Sequence, residues 1–430
     1  MSSCVSDIDC SSLQICLSSL CVHKSLFPLC VLDILTIFLV FISSIITTVA
    51  GVGGGVFFFP ILMGVTNFAP TPAVAISLSI VMILMIIRYL MSMKDRHPLK
   101  NRPLINYDVS VIFCPSSIVG TIFGVLFNRM SPNWLLLILI LISLGSSGLE
   151  TWKKAKLQKM KELKENGSPD LNIPLKLMKE EENANSLNNE ALSEILKEEA
   201  KMIPYKKLMI LISNLLVLIF CLFCQGSKNL KSILGLSYCG FGYWFFLFLY
   251  IPLGGVILSF SSKMLTNEYN LKLSSGYEFL PSDIKWDSAN LKKSLFIGFS
   301  IGFSSAILGV GGAVVTSPLL IEMGFDAREA TFTATFIAVF TSIAGSMQYI
   351  FAGITQFDYM LASLAVGLVG LWIGMRHILD YVKKTNKTSI IMQTLAFCVA
   401  LTMLLVAVPG VFKTIQDYQS GNLLKLRNYC

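Results

Sequence analysis

Apolar segments of about twenty residues recur along this chain between short polar stretches, and an α-helix needs that length to cross a bilayer. The pattern predicts about ten full spans and two half-length apolar segments, and hence an all-α polytopic membrane protein. The predicted spans cover residues 31–50, 72–91, 109–127, 134–149, 208–224, 241–260, 295–308, 329–351, 359–378 and 390–408, and the half-length segments cover 56–65 and 314–323.

Two apolar segments end in the same motif, a glycine cluster followed at a fixed spacing by a proline. Glycine lets a backbone leave helical geometry or approach another group closely, so each cluster predicts a broken helix. The first motif contains Gly51, Gly53, Gly54, Gly55 and Pro60, and the second contains Gly309, Gly311, Gly312 and Pro318.

The two motifs belong to an internal repeat. A shift of 258 residues aligns the glycines and prolines and places Ser77 on Thr335. A shift of 250 then places Asp108 on Asp358, Gly120 on Gly370 and Gly124 on Gly374. The matching G-x-x-x-G spacings predict close helix packing in both halves.

The repeat predicts how the chain is divided. The predicted parts are a cysteine-rich non-cytoplasmic cap at 1–30, membrane repeat one at 31–150, a charged cytoplasmic loop at 151–207, two linking spans at 208–261, a polar cytoplasmic loop at 262–293, membrane repeat two at 294–412 and a tail at 413–430. Lys and Glu dominate the loop at 151–207, which indicates a solvated segment. It is either a plain linker or a binding site for a regulatory partner.

Composition excludes a set of soluble domains, because 54% of the residues are hydrophobic and only 14% are charged. The net charge of +8 comes from basic residues gathered in loops beside the spans, so it reports orientation and not nucleic-acid binding. Three histidines without helical H-x-x-x-H spacing predict no metal or haem site, and no other cofactor is expected. The sequence has no nucleophile–base constellation, so we do not expect an enzyme; the oligomeric state stays open.

Cysteines are concentrated at the start of the chain. Five of the 11 lie in the first 30 residues, namely Cys4, Cys10, Cys16, Cys21 and Cys30. The spacing predicts a small disulfide-bonded cap in an oxidising compartment, with a metal knuckle or a reduced tail as alternatives. The remaining cysteines are expected to be small core residues of the spans.

Orientation depends on whether each glycine motif crosses the membrane once or forms a hairpin. With single crossings, the cysteine-rich head would share a side with the basic loop 94–103, against the positive-inside rule. With hairpins, the head is extracellular or luminal, and residues 94–103, 151–207 and 376–387 are cytoplasmic. The two repeats are then inverted relative to each other, as in many secondary transporters. Plasma membrane and endomembrane stay open.

The glycine breaks are the strongest candidate for chemistry. A helix that ends inside the membrane leaves free N–H groups and a positive dipole end, which can hold an anion. Two packed hairpins that bind nothing are the alternative. The candidate substrate-binding residues are Gly51, Gly53, Gly54, Gly55, Pro60, Ser77, Gly309, Gly311, Gly312, Pro318, Thr333 and Thr335.

The polar residues of the spans receive simpler interpretations. Ser77 and Thr335 are the hydroxyls most expected to face a common cavity, although each could instead bond its own helix backbone. Arg88 is expected to snorkel to the membrane surface. The remaining expectations are helix N-terminal roles for Asp108 and Asp358, interface positions for Glu322, Asp326, Arg328 and Glu329, and polar pore positions for Gln225 and Gln348.

These features resemble the sulfite exporter TauE/SafE family, in particular its eukaryotic branch, which includes protist members. The resemblance is carried by the Gly-x-Gly-Gly-Gly-x4-Pro unit at residues 51–60, by the second unit at 309–318 and by the Ala/Thr-rich helix that follows at 330–335. The resemblance implies an anion permease for sulfite, sulfonates or related sulfur-containing or organic anions. We expect a transporter that works by alternating access; a non-transporting scaffold or receptor-like protein, or an anion channel, is the alternative.

Overall fold

The computed structural model describes residues 13–17, 20–50, 54–97, 100–139, 190–227, 230–275, 283–379 and 388–419, with scattered positions at 141–156 and at 277 and 279. Gly51, Gly53, most of the cysteine-rich head and most of the loop at 151–207 lie outside the described residues. The helices are α1 (Val31–Ala50), α2 (Gly55–Gly64), α3 (Pro70–Ser92), α4 (Tyr107–Met130), α5 (Glu190–Glu199), α6 (Tyr205–Gln225), α7 (Phe241–Ser274), α8 (Ser288–Leu308), α9 (Ala313–Glu322), α10 (Ala327–Phe351), α11 (Phe357–Ile373) and α12 (Thr388–Gln419). A π-helical turn at Gly374–Leu379 continues α11, and the strands β1 (Gln14–Leu17) and β2 (Leu20–His23) form an antiparallel hairpin before α1.

The all-α polytopic prediction is confirmed. Among the described residues, eight helices are long and apolar enough to cross a membrane: α1, α3, α4, α6, α7, α8, α10 and α11 with its π-helical continuation. The predicted span at 134–149 is described only in part, and the span at 390–408 lies within α12. The helix α7 continues to Ser274, so residues predicted as the start of a polar loop extend this helix instead.

The first glycine motif forms a hairpin. Helix α2 has only 10 residues, and the chain after it returns to the side where α1 begins. There the Nε2 atom of His23, which precedes α1, lies 2.7 Å from the carbonyl oxygen of Thr66, which follows α2. We call this side of the helix bundle the head end.

The second glycine motif forms a hairpin that starts from the opposite side. Arg102 contacts Asp283, which precedes α8, at 2.7 Å, and Glu329, which follows α9, at 3.2 Å. Both ends of the α8–α9 hairpin therefore meet at the loop 94–103, which lies one α3 length away from the head end. We call this side the loop end. The hairpins start from opposite ends, so the two repeats are inverted, as predicted.

The G-x-x-x-G helix of repeat one packs on the hairpin of repeat two. A Cβ atom added to Gly120 of α4 would lie 2.1 Å from the carbonyl oxygen of Phe299 in α8. A Cβ atom added to Gly124 would lie 2.7 Å from the carbonyl oxygen of Phe303. Only glycine allows this approach, so the prediction of close packing holds for α4.

The equivalent packing recurs in the other half. Cβ atoms added to Gly370 and Gly374 would lie 2.8 and 2.9 Å from the carbonyl oxygens of Phe41 and Ile45 in α1. The shift of 258 places Phe41 on Phe299 and Ile45 on Phe303. Each repeat thus places its glycine helix against the hairpin of the other, and the two repeats are intertwined.

Cysteines follow the prediction in part. Cys16 in the head is disulfide-bonded, and Cys114, Cys221 and Cys224 are buried free thiols in helices. Cys30 is a free thiol, and Cys239, expected in the core of a span, is disulfide-bonded in the connection before α7. That connection lies at the head end, because Tyr238 accepts a 3.3 Å hydrogen bond from Arg129 at the end of α4.

Candidate functional site

The two glycine breaks meet in the middle of the bundle. A Cβ atom added to Gly55 would lie 2.8 Å from the Cα atom of Val310. The side chain of Val81, the central residue of α3, lies against both breaks, at 2.7 Å from the Cβ positions of Gly55 and Gly311. The breaks therefore meet about halfway along a helix that is long enough to span the membrane.

Ser77 joins the two breaks. Its Oγ atom donates a 2.6 Å hydrogen bond to the carbonyl oxygen of Gly309 and lies 3.4 Å from that of Gly55. The Ser77 side chain is fully buried. Carbonyls at the end of a helix have no partner within it, so Ser77 satisfies one that the break at the end of α8 exposes.

The glycines at the breaks have conformations that other residues rarely adopt. Gly54, Gly309 and Gly311 have φ angles of +84°, +70° and +63°. An added Cβ atom at Gly54 would lie 2.1 Å from the Cζ atom of Phe58. These positions require glycine for backbone conformation as well as for space.

Helices α2 and α9 start at the breaks. Among the described residues, neither helix has a side-chain cap at its N-terminus, although the backbone N–H of Gly312 donates to Thr341 Oγ1 at 3.1 Å. The positive ends of two short helices thus lie near the point of contact. Pro60 and Pro318, expected where the chain bends, lie inside α2 and α9.

Arg88 is the residue whose role the sequence did not reveal. It was expected to snorkel, but its side chain is fully buried. Its Nη1 atom donates to the carbonyl oxygen of Thr48, at the end of α1 beside the first break, and its Nε atom donates to Thr335 Oγ1 at 3.2 Å. The ring of Phe332 lies 5.9 Å from the guanidinium carbon. These partners hold the side chain inside the bundle.

The guanidinium group of Arg88 is incompletely paired. Its Nη2 atom is buried and has no hydrogen-bond partner within the structure described here. Among the described residues, no carboxylate oxygen lies within 4 Å of a guanidinium nitrogen of Arg88. Arginine keeps its charge in proteins, so the group is a buried cation with a free donor.

Repeat two has a neutral group in the equivalent role. The shift of 258 places Thr48 on Ala306, and the carbonyl oxygen of Ala306 accepts a 3.0 Å hydrogen bond from the hydroxyl group of Tyr349. The same shift places Arg88 on Ser346, whose Oγ atom lies 2.8 Å from Ser79 Oγ. The charge at the breaks is therefore asymmetric between the two halves.

The other two candidate hydroxyl groups, those of Thr335 and Thr333, lie in different parts of the bundle. Thr335 lies beside Arg88 and donates to the carbonyl oxygen of Thr331 at 2.9 Å. Thr333 instead accepts a 3.0 Å hydrogen bond from the backbone N–H of Asn106, at the start of α4 at the loop end. The structure thus brings Gly54, Gly55, Ser77, Gly309, Gly311, Gly312 and Thr335 near the breaks, and it places Thr333 at the loop end.

A charged cluster closes the loop end. Glu329, expected at the interface, is 1% exposed and contacts Arg102 at 3.2 Å, Asn106 Nδ2 at 3.3 Å and His97 Nε2 at 3.5 Å. Burial would lower the pKa of Arg102, but the fields of Asp283 and Glu329 raise it above the usual value. This loop-end cluster consists of His97, Arg102, Asn106, Asp283 and Glu329.

Aromatic rings close the head end. The ring of His23 stacks on Phe68 with centroids 3.7 Å apart, and Tyr359 lies edge-on to both rings. The hydroxyl group of Tyr359 donates to Asp33 at 2.9 Å, and Asp33 pairs with Lys24 at 2.7 Å. This head-end cluster links the head to α1, α11 and the end of the first hairpin.

The structure also gives partners to three other polar residues that the sequence analysis singled out, Asp108, Asp358 and Gln348. Asp108 and Asp358 lie in the first turns of α4 and α11, as expected, and pair with Lys207 Nζ and the backbone N–H of Leu26. Gln348 donates to Thr121 Oγ1 at 3.2 Å and so joins α10 to α4. Among the described residues, no three His, Cys, Asp or Glu side chains could hold a metal ion.

The model of the family described as "Sulfite exporter TauE/SafE" matches residues 36–181 and 202–403. The chain belongs to the sulfite exporter TauE/SafE family. This is a family of membrane transporters, and the chain is an integral multi-pass membrane protein. The gap between the two matched segments falls within the charged loop at 151–207.

Curated members of the TauE/SafE family from Arabidopsis thaliana resemble most of the chain. Sulfite exporter TauE/SafE family protein 3 is 26% identical over 403 residues, which cover 91% of this chain and 81% of the relative. Family protein 2 is 25% identical and family protein 5 is 24% identical, and each alignment covers 91% of this chain and 86% of the relative. No solved structure matches the chain.

Proposed function

We propose that this TauE/SafE member is a secondary transporter that moves a small anion, namely sulfite, a sulfonate or a related sulfur-containing or organic anion, by alternating access around the two glycine breaks. The observation that carries the proposal is the buried Arg88 guanidinium beside the first break, with its Nη2 donor unpartnered within the described structure.

An anion would complete this site chemically. A buried charge is costly unless it is paired and hydrogen-bonded, and guanidinium groups form strong charge-assisted bonds with oxyanions. The N-termini of α2 and α9 add positive potential at the same level of the bundle. Substrate oxygens would accept from Nη2 while Thr48 and Thr335 keep Arg88 in place.

Burial and symmetry support alternating access. Ser77 and Arg88 are fully buried, and clusters of paired side chains close both the head end and the loop end. A substrate can reach the breaks only if one cluster opens. Inverted repeats supply two related arrangements in which either end opens around a fixed midpoint.

The proposed orientation places the head end outside the cytoplasm. Disulfides form in oxidising compartments, and Cys16 and Cys239 both lie at the head end. The basic residues of the loop 94–103 lie at the other end, which the positive-inside rule assigns to the cytoplasm. The charged segment around α5 is then cytoplasmic too, because Arg96 contacts the carbonyl oxygen of Ala200.

Flux into proteoliposomes tests the proposal. We expect saturable movement of sulfite or methanesulfonate, its loss in Arg88→Gln and partial retention in Arg88→Lys, which keeps the charge but not the planar donors. Arg376→Gln is the matched control, because Arg376 is exposed in the π-helical turn that follows α11. Non-saturating flux would favour a channel, and no movement of any tested anion by a folded chain would contradict a transporter.

A further inference from the structure

The buried charges of this protein are compensated at every described position except one. Asp33 pairs with Lys24, Glu329 with Arg102 and Lys272 with Glu199. Arg88 is as deeply buried as these residues, yet it has no ion-pair partner in the described part of the chain. Among the described residues, Arg88 therefore gives the centre of the bundle a positive charge that has no ion-pair partner when no ligand is bound.

From this charge we infer that the site takes monovalent anions and that the protein exchanges one such anion for another instead of moving anions in one direction only. The inference rests on the proposed transport function and assigns its substrate charge and its mode of operation.

The empty site is the unfavourable state. To change access, the bundle must pass through a closed arrangement like the one described here, in which Arg88 is fully buried. Arginine cannot lose its proton to become neutral, so only a bound anion removes the uncompensated charge. An empty transporter should therefore reorient far more slowly than a loaded one.

The charge of the anion determines whether it suits the Arg88 site. A monovalent anion makes the Arg88 site neutral, whereas a divalent anion leaves a net negative charge in the same buried position. Among its described residues, repeat two offers no second cation for a divalent anion, because Ser346 and Tyr349 occupy the equivalent roles.

The test compares two flux modes in proteoliposomes of the full chain, with methanesulfonate as a monovalent probe and sulfate as a divalent one. We expect exchange of labelled for unlabelled methanesulfonate to exceed uptake into anion-free vesicles by at least about tenfold, because an unpaired buried charge raises the barrier for the empty state. Exchange should not respond to an imposed potassium diffusion potential, since the loaded site is neutral.

Different failures are distinguishable. No flux of any tested anion in either mode would contradict the proposed function itself. Net uptake as fast as exchange, or sulfate exchange as fast as methanesulfonate exchange, would overturn this inference while leaving transport intact. Both results come from the unaltered protein, so they do not depend on whether an Arg88 variant folds.

Discussion

The hydroxyl group of Ser77 donates a 2.6 Å hydrogen bond to the carbonyl oxygen of Gly309, across the boundary between the two repeats. The residues are 232 positions apart in the chain. Ser77 follows the first break and Gly309 opens the second, so one side chain links the two candidate half-sites.

Ser77→Ala should weaken this link. The carbonyl oxygen of Gly309 would lose its 2.6 Å donor in a buried position, which costs about 1–3 kcal/mol. We expect a lower thermal unfolding temperature in detergent together with slower anion exchange. Ser213→Ala is the control, because Ser213 is exposed and bonds only its own helix at Ile210. Equal stability of the two variants would contradict the bridging role.

Gly311→Ala should disrupt the second break for two separable reasons. Its φ angle of +63° is unfavourable for alanine by roughly 1–2 kcal/mol, and the new methyl group would lie 2.7 Å from Val81 Cγ1. We expect loss of transport in Gly311→Ala and partial recovery in Gly311→Ala/Val81→Ala, which removes only the steric conflict. Measured exchange rates and unfolding temperatures check this.

The control for the second break is Gly255→Ala in α7. An added Cβ atom at Gly255 meets nothing within 4 Å, so this variant should match the original protein. If Gly311→Ala behaves like Gly255→Ala, the left-handed conformation at Gly311 is not required.

The two hairpins and the inversion of the repeats could be predicted because each depends on a pattern that is visible in the sequence. The spacing of glycine and proline, the basic loops and a repeat that aligns at shifts of 258 and 250 residues can all be read from the residue order. The packing of Gly120 on Phe299 and of Gly370 on Phe41 shows that the same alignment also carries three-dimensional information.

Arg88 shows why the candidate site could be predicted only in part. A basic residue near the end of an apolar segment usually extends its charged group to the membrane surface. The sequence cannot show that Arg88 has a hydrogen-bond acceptor inside the bundle, the carbonyl oxygen of Thr48. The alignment of Arg88 with Ser346, a polar residue within the opposite span, was the available signal. Thr333 and Thr335 differ by two positions and so face different neighbours, as helical periodicity requires.

Tyr349→Phe should separate helix capping from anion binding. Tyr349 and Arg88 satisfy equivalent carbonyl oxygens, those of Ala306 and Thr48, but only Arg88 adds a charge and a free donor. We expect Tyr349→Phe to lose about 1–3 kcal/mol of stability while keeping its apparent affinity for methanesulfonate. Arg88→Gln should lose that affinity. If both variants lose affinity alike, Arg88 has a capping role only.

Glu329→Gln should loosen the loop-end cluster. The change keeps the size of the side chain and removes the charge that pairs with Arg102 at 3.2 Å and lies 3.5 Å from His97 Nε2. Arg102 would then keep only Asp283 as an ion-pair partner, so the closed arrangement becomes less favourable. In detergent-solubilised protein with a Cys30→Ser background, we expect Thr333→Cys to react faster with a water-soluble thiol reagent when Glu329→Gln is present.

Glu322→Gln is the matched control for the loop-end cluster, because Glu322 is exposed at the end of α9. It should leave the labelling rate of Thr333→Cys unchanged. Equal labelling with and without Glu329→Gln would show that the ion pair does not hold this end closed.

Glycosylation should report the proposed orientation. The sequons at Asn166 and Asn386 belong to segments that we place in the cytoplasm, so neither should carry a glycan when the protein is made in a eukaryotic cell. Lys231→Ser completes a sequon at Asn229, between α6 and α7 in the sequence and in the same connection as Cys239. We expect a glycosidase-sensitive mass increase only in the Lys231→Ser variant, because glycans mark the face opposite the cytoplasm. A glycan on Asn166 or Asn386 in the original protein would reverse the orientation, and the basic loop 94–103 would then face outward against the positive-inside rule.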